Sequence, residues 1–160
     1  MRKISLLFLA AFLAGAFFFS GCDTDSGTNP FETIPVPMPI ALTGTWEGII
    51  EYGGYKEEYT INAATFTSSF AGVVSYAGSV IDVRLDAFGG GYITIRYTEN
   101  DWNPGAVGKY YVIHWKNLAG SSIDISGSRD GDGKATLWEA EYEYVIWNGY
   151  FSVYSSCVKK

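Results

Sequence analysis

His114 is the chain's single histidine, and its two cysteines are Cys22 and Cys157. An imidazole beside a thiol makes a nucleophile, but only where the two side chains meet in space. Nothing in the spacing of His114 and Cys157 requires that. His114 falls in an alternating run among Tyr and Trp and reads first as a packed strand residue. Cys157 reads as a small buried or edge residue near the end of the last strand. Asp82, Arg84 and Asp86 share one strand face, the arrangement of a salt-bridge ladder. The chain carries 17 acids, yet no spacing marks two of them as a glycosidase-like pair. Gly-x-Ser-x-Gly, phosphate-loop and zinc patterns are absent. These residues assign no catalytic side chain, no metal ligand and no cofactor, and the expectation is a protein that is not an enzyme. A hydrolase built on His114 or on a carboxylate pair is the last alternative.

One segment has the composition of a cation loop. Between Ser128 and Glu139, the residues Asp130, Asp132, Gly133 and Glu139 fall at the third, fifth, sixth and twelfth positions of an EF-hand loop. Ser128 stands where the first Asp ligand belongs, and a strand pattern precedes it. Asp-Gly-Asp-Gly is also a common turn ahead of a helix. The turn is the preferred reading, and calcium at Asp130, Asp132 and Glu139 stays open.

Cys22 has a clearer assignment. Met1-Arg2-Lys3 is a short basic stretch, residues 4–19 are apolar apart from Ser5 and Gly15, and Ser20-Gly21-Cys22 follows. Basic, apolar and small-residue regions in that order make a secretory signal. The apolar run is shorter than the roughly 20 residues of a spanning helix. Phe19-Ser20-Gly21-Cys22 resembles a lipobox, in which the cysteine thiol accepts a diacylglyceryl group and the chain is cut just before it. The resemblance implies a mature lipoprotein that carries palmitate-type chains on Cys22. It would sit in the cell envelope on the extracytoplasmic side of a membrane. Inner and outer membrane both remain open. Residues 1–21 are then the signal peptide, residues 22–42 the lipidated cysteine and a Pro/Gly/Ser-rich tether, and residues 43–160 the folded domain. Within the tether Pro35, Pro37 and Pro39 favour an extended spacer. Ile34, Val36, Met38 and Ile40 offer the alternative of a segment packed along the domain.

Removal of residues 1–21 takes away Arg2 and Lys3 and no acid, leaving 9 basic and 17 acidic residues and a net charge of −8. Such a surface does not neutralise phosphates, which argues against nucleic acid as a partner. An acylated Cys22 also leaves Cys157 without a disulfide partner in the chain.

The elements that would carry these residues are mostly strands. Aromatic residues make up 17% of the chain and there are 19 glycines, so short Tyr-rich and β-branched runs are cut repeatedly by Gly. From Trp46, alternate residues share a face up to Tyr52. Gly53-Gly54 makes a hairpin turn, and Tyr55, Glu57, Tyr59 and Ile61 line one face of the return. Further strands are expected over residues 65–70, 72–76, 80–87, 92–98, 110–116 and 122–126, with a long loop over residues 100–108. In the strand at 110–116, Tyr111, Ile113 and Trp115 oppose Tyr110, Val112 and His114. Thr136 with Glu139 forms a capping box and predicts a short helix. Asn148-Gly149 is a turn, and residues 150–158 a last strand. The expected fold is all-β, a small antiparallel up-and-down β-barrel of about eight strands with one short helix before the last strand.

Gly44-Thr45-Trp46 resembles the Gly-x-Trp that opens the first strand of lipocalins, where the Trp plugs the closed end of the barrel. The late helix before a final strand is similar too. No arginine follows Arg129 to supply the late arginine that packs over that Trp. The resemblance implies an apolar cavity for a small ligand, although an eight-stranded barrel is also filled by its own side chains in some proteins. As a whole the domain resembles small spirochaetal lipoproteins. The leading expectation is a lipid-anchored, lipocalin-like barrel that binds a small apolar or amphipathic ligand, or a partner protein. The alternative is a structural or surface envelope lipoprotein with a filled barrel, whose loops meet host or envelope components. The residues do not identify ligand-binding positions.

Overall fold

The computed structural model describes residues 34–146, 151 and 153–160. Among these residues nine strands run in order: β1 (Ile34–Pro35), β2 (Gly44–Tyr52), β3 (Tyr55–Ile61), β4 (Thr65–Phe70), β5 (Val73–Leu85), β6 (Gly91–Asn100), β7 (Tyr110–Ala119), β8 (Ser122–Gly127) and β9 (Ser155–Lys159). Each of β2 to β8 pairs antiparallel with the next strand in the chain, and β9 returns to pair with β2. The result is a closed up-and-down barrel of eight strands, with β1 added on the edge of β5. Closure leaves few unpaired edges, which is what protects an all-β chain from edge-to-edge association.

The expected hairpin is present. Gly53 and Gly54 both take positive φ, +61° and +87°, as a two-residue turn between twisted strands requires. The two strands expected over residues 72–76 and 80–87 are instead one, β5. Gly78 falls in the gap between those two expected runs. In the barrel it is buried, and a Cβ there would lie 2.7 Å from the Arg96 carbonyl oxygen and 2.8 Å from Ile95 Cδ1. Its missing side chain lets β5 and β6 approach closely, and register shifts at Ala77/Gly78 and Val80/Asp82 bend the strand through the barrel corner. The last strand begins later than expected, at Ser155, and the turn expected at Asn148-Gly149 lies outside the described residues.

Inward-facing residues fill the barrel. Trp46, Phe66, Ile93, Ile113, Trp115 and Ile123 belong to one cluster buried to 2% exposure or less. The opposite face of β6 and β7 is covered as well. Tyr92 and Val112 pack there against Ala140, Tyr144 and Val145, which lie on α1 (Leu137–Ala140) and the wider π-helical turn Glu141–Ile146 that continues it. Thr136 and Glu139 cap this helix reciprocally, side chain to backbone, in the expected capping box. The covering helix explains why β7 is buried on both faces.

Of the two readings of residues 34–42, spacer or packed segment, the structure shows the packed one. Val36 N–H donates to the Val83 carbonyl at 2.8 Å, and Val36 and Met38 lie against the core. The chain then makes a 3-10 turn, Ile40–Leu42, whose Leu42 is fully buried. Trp46 Nε1–H donates to the Leu42 carbonyl at 2.9 Å, so this turn closes one end of the barrel. Lys159 lies over the Trp46 ring, its ammonium 5.1 Å from the ring centre. A lysine from the last strand thus sets a cation over this ring. Gly44 makes room for it, since a Cβ there would fall 2.7 Å from Lys159 Cε.

Candidate functional site

His114 and Cys157 do not meet. Cys157 points into the barrel, fully buried, and its Sγ–H donates to the Ser155 carbonyl at 3.3 Å. Burial, with the charges of Glu57 and Asp124, pushes this thiol up to about 12, so it stays protonated. His114 belongs to the opposite face of β7, beside Tyr92 and Phe151. Its Nε2 lies 3.0 Å from Asp86 Oδ2, and its Nδ1 lies 2.8 Å from the Tyr154 hydroxyl.

The proton positions follow from Asp86. Burial alone would raise its pKa, but hydrogen bonds from His114 and from the Phe88 and Gly90 amides bring it below the ordinary carboxylate value. An ionised Asp86 only accepts, so Nε2 carries the proton, and Nδ1 of the neutral ring accepts from the Tyr154 hydroxyl. Burial outweighs the pull of Asp86 and holds the imidazole below its ordinary pKa. The Tyr154–His114–Asp86 chain has the form of a relay. Yet burial and nearby acids raise the Tyr154 phenol, which makes it a poor nucleophile. His114 is only 8% exposed and both its nitrogens are engaged. This arrangement clamps the entry to β9 onto the outside of the barrel.

The next residue of that strand faces the other way. Ser155 points inward and its hydroxyl donates to Glu57 Oε2 in a short hydrogen bond. Tyr59 O–H donates to the same oxygen at 2.8 Å. Burial first, then the neighbouring Glu57 charge, raises the Tyr59 phenol far above its ordinary value and keeps it a donor. Glu57 Oε1 accepts no hydrogen bond, and Glu57 makes no ion pair, among the described residues.

Glu57 and Ser155 sit in the wall of a cavity of about 300 Å³, whose other walls are Gly48, Ile50, Tyr52 and residues 153–156. It lies where the β2–β9 ladder runs out. That ladder pairs Trp46 with Lys159 and Gly48 with Cys157, and β2 continues past it to Tyr52. Ile50, Tyr52 and Val153 are exposed at the rim. The cavity therefore has an apolar rim and a polar floor. β3 places Glu57 there because Tyr55, Glu57, Tyr59 and Ile61 share a face, and Glu57 is an acid on a face that runs from the exposed Tyr55 to the buried Tyr59 and Ile61. That acid was the available signal for the site. A second depression, about 320 Å³, lies by Glu47, Lys56 and Glu58, whose charges are already paired with one another and with Lys160.

The remaining singled-out residues are separately engaged. Asp130 Oδ2 accepts from Lys134 Nζ at 3.0 Å, Asp132 Oδ1 from Asn103 Nδ2 at 2.7 Å, and Glu139 Oε2 from Thr136. The hydroxyls of Tyr111, Tyr144 and Tyr97 donate to the backbone carbonyls of Ser128, Asp130 and Gly131. The loop is thus braced as a turn, and no group of three His, Cys, Asp or Glu able to hold a metal occurs among the described residues. Arg84 bridges Asp82 to Glu141 of the helical turn, at 2.6 Å and 2.8 Å, so the expected ladder becomes a tie between β5 and the cover. Cys22 lies outside the described residues.

Comparison with protein-family models, curated proteins and solved structures finds no match to this chain.

Proposed function

We propose that the chain is an extracytoplasmic lipoprotein, held to a membrane through an acylated Cys22, whose barrel mouth binds a small amphipathic molecule. The binding reading is carried by the cavity of about 300 Å³ with its apolar rim and its Glu57–Tyr59–Ser155 floor. That volume is at the small end of the roughly 300–1,000 Å³ range of ligand sites. Below it the barrel is filled by Trp46, Phe66 and Trp115, so a short body fits and a long acyl chain does not. The lipocalin-like reading is supported by the setting of Gly44-Thr45-Trp46, with the 3-10 turn beneath the Trp and a cation over it. No catalytic role is proposed, because the imidazole is enclosed and the thiol is buried and protonated.

Native mass spectrometry of the chain purified from the membrane fraction is expected to show one small molecule bound per chain. A clean ligand-free mass after exposure to an envelope extract would contradict the binding reading. For the anchor, metabolic labelling with palmitate is expected to mark the chain and to disappear in Cys22→Ala. An unlabelled wild-type chain would remove the lipoprotein reading.

A second reading, binding of a partner protein, is favoured by one observation. Trp138 and Tyr142 stack on the outer side of the helix, 5.1 Å apart, with Trp138 68% exposed. Stacked exposed aromatics are characteristic of contact surfaces. If that face carries the function, Trp138→Ala abolishes partner capture and leaves small-molecule binding intact.

A further inference from the structure

We propose that the mouth cavity recognises the ammonium group of a small amphipathic amine, with Glu57 as its countercharge. This rests on the cavity-binding reading above and adds the chemical class of the ligand. Glu57 is held in place from one side only. Tyr59 and Ser155 both donate to Oε2, which fixes the carboxylate and leaves Oε1 turned to no protein donor among the described residues. The nearby cations are committed elsewhere, Lys56 to Glu47, and Lys160 to Glu47 and Glu58. A carboxylate in a half-enclosed site without a countercharge is matched best by a ligand that brings one.

The alternatives fit less well. An anionic ligand meets the Glu57 charge. A neutral one can at most donate a hydrogen bond to Oε1 and brings no countercharge. A divalent metal needs several hard ligands, whereas no group of three His, Cys, Asp or Glu suited to a metal exists among the described residues. Ile50, Tyr52 and Val153 line the rim, where the apolar part of an amine would lie. Gly48 keeps the space open. A Cβ there would meet Glu57 backbone atoms at 3.5 Å, an ordinary contact, so a side chain at position 48 fits and reduces the cavity.

Isothermal titration of the full-length chain with three probes tests the proposal: phenethylamine, phenethyl alcohol and phenylacetate. Phenethylamine is expected to bind at least tenfold more tightly than the alcohol, and phenylacetate not at all. Glu57→Gln keeps an oxygen for Tyr59 and Ser155 and is expected to reduce the amine to the affinity of the alcohol. Gly48→Val is expected to remove binding of both while leaving the carboxylate in place. Circular dichroism melting of each variant monitors the fold. Equal binding of amine and alcohol by the wild type would overturn the ammonium assignment and leave the cavity reading standing. Amine binding undiminished in Glu57→Gln would also overturn it. Failure of all three probes to bind would overturn the assignment and the cavity reading together.

Discussion

Asp86 and Glu57 are both acids set beside tyrosines on the wall of the same barrel, and they differ in what is left over. Asp86 uses both oxygens. Oδ1 accepts from the Phe88 and Gly90 amides at 2.7 Å and 2.9 Å, and Oδ2 meets His114 at 3.0 Å. The chain of hydrogen bonds then ends on Tyr154, with Lys116 seated 3.7 Å from the centre of its ring. Glu57 uses one oxygen, and a void lies beside it. Adjacent residues of one segment serve the two groups, since Tyr154 faces outward to His114 and Ser155 inward to Glu57. A polar cluster that closes on itself gives stability and a fixed geometry, because every buried group is satisfied. One that stays open on the side of a cavity gives a place to bind.

Changes in the closed cluster should therefore cost stability, and changes in the open one should cost ligand. The largest stability effect is expected from His114→Ala. It leaves Asp86 Oδ2 and the Tyr154 hydroxyl without their partner, at a cost of about 3 kcal/mol, read as a lower urea midpoint. If that midpoint does not move, the clamp contributes little and the contrast fails on this side.

The next effect is a pH dependence. Burial holds His114 below its ordinary value in the folded chain. As pH falls, the unfolded chain takes up its proton first, near an ordinary imidazole pKa of about 6.5. The stabilisation is thus complete above that pH and is lost as the pH falls from there towards the lower, folded pKa. Asp86 adds a second loss at lower pH, because its folded pKa lies beneath the ordinary carboxylate value. Urea midpoints between pH 5 and 8 should slope downward toward acid in the wild type and flatten in His114→Gln. An unchanged slope in that variant would show that another group titrates.

Cys157 gives an intermediate test of how tightly the wall beneath the cavity is closed. The buried, protonated thiol should resist iodoacetamide at pH 8 in the native chain and react once the chain is unfolded in urea. Rapid native labelling would mean that the open region extends deeper than Glu57 and Ser155. The smallest stability effect is expected from Glu57→Gln. The residue is partly exposed and its partners keep an acceptor, so the unfolding free energy from urea titration should change by no more than about 0.5 kcal/mol. A large loss would make Glu57 a structural residue and bring it level with Asp86.

The features legible in the sequence are those set by neighbours along the chain. The Gly53-Gly54 turn, the Thr136–Glu139 capping box and the alternation from Tyr110 to Lys116 each depend on a few consecutive residues, and each formed as expected. The barrel followed from counting such strands. Features that depend on distant partners were not legible. Gly78 falls in a gap between two expected strands until Ile95 and Arg96 are known to lie against it. The cation over Trp46 comes from Lys159 in the last strand, which carries no motif. Alternation alone puts Glu57 on one strand face with Tyr59 and Ile61 and does not say which face is inward. What makes Glu57 a candidate site is Ser155, brought beside it only when the barrel closes, and the lack of a paired cation among the described residues, which no local pattern records.

The most direct test is amide chemical-shift mapping of the isotope-labelled chain during titration with phenethylamine. The expected result is a saturable set of shifts confined to Gly48, Ile50, Tyr52, Glu57 and Ser155, with the signals of Val112, Ile113 and His114 unmoved. Shifts centred on the His114 wall, or no saturable shifts at all, would contradict the assignment of binding to the open cluster.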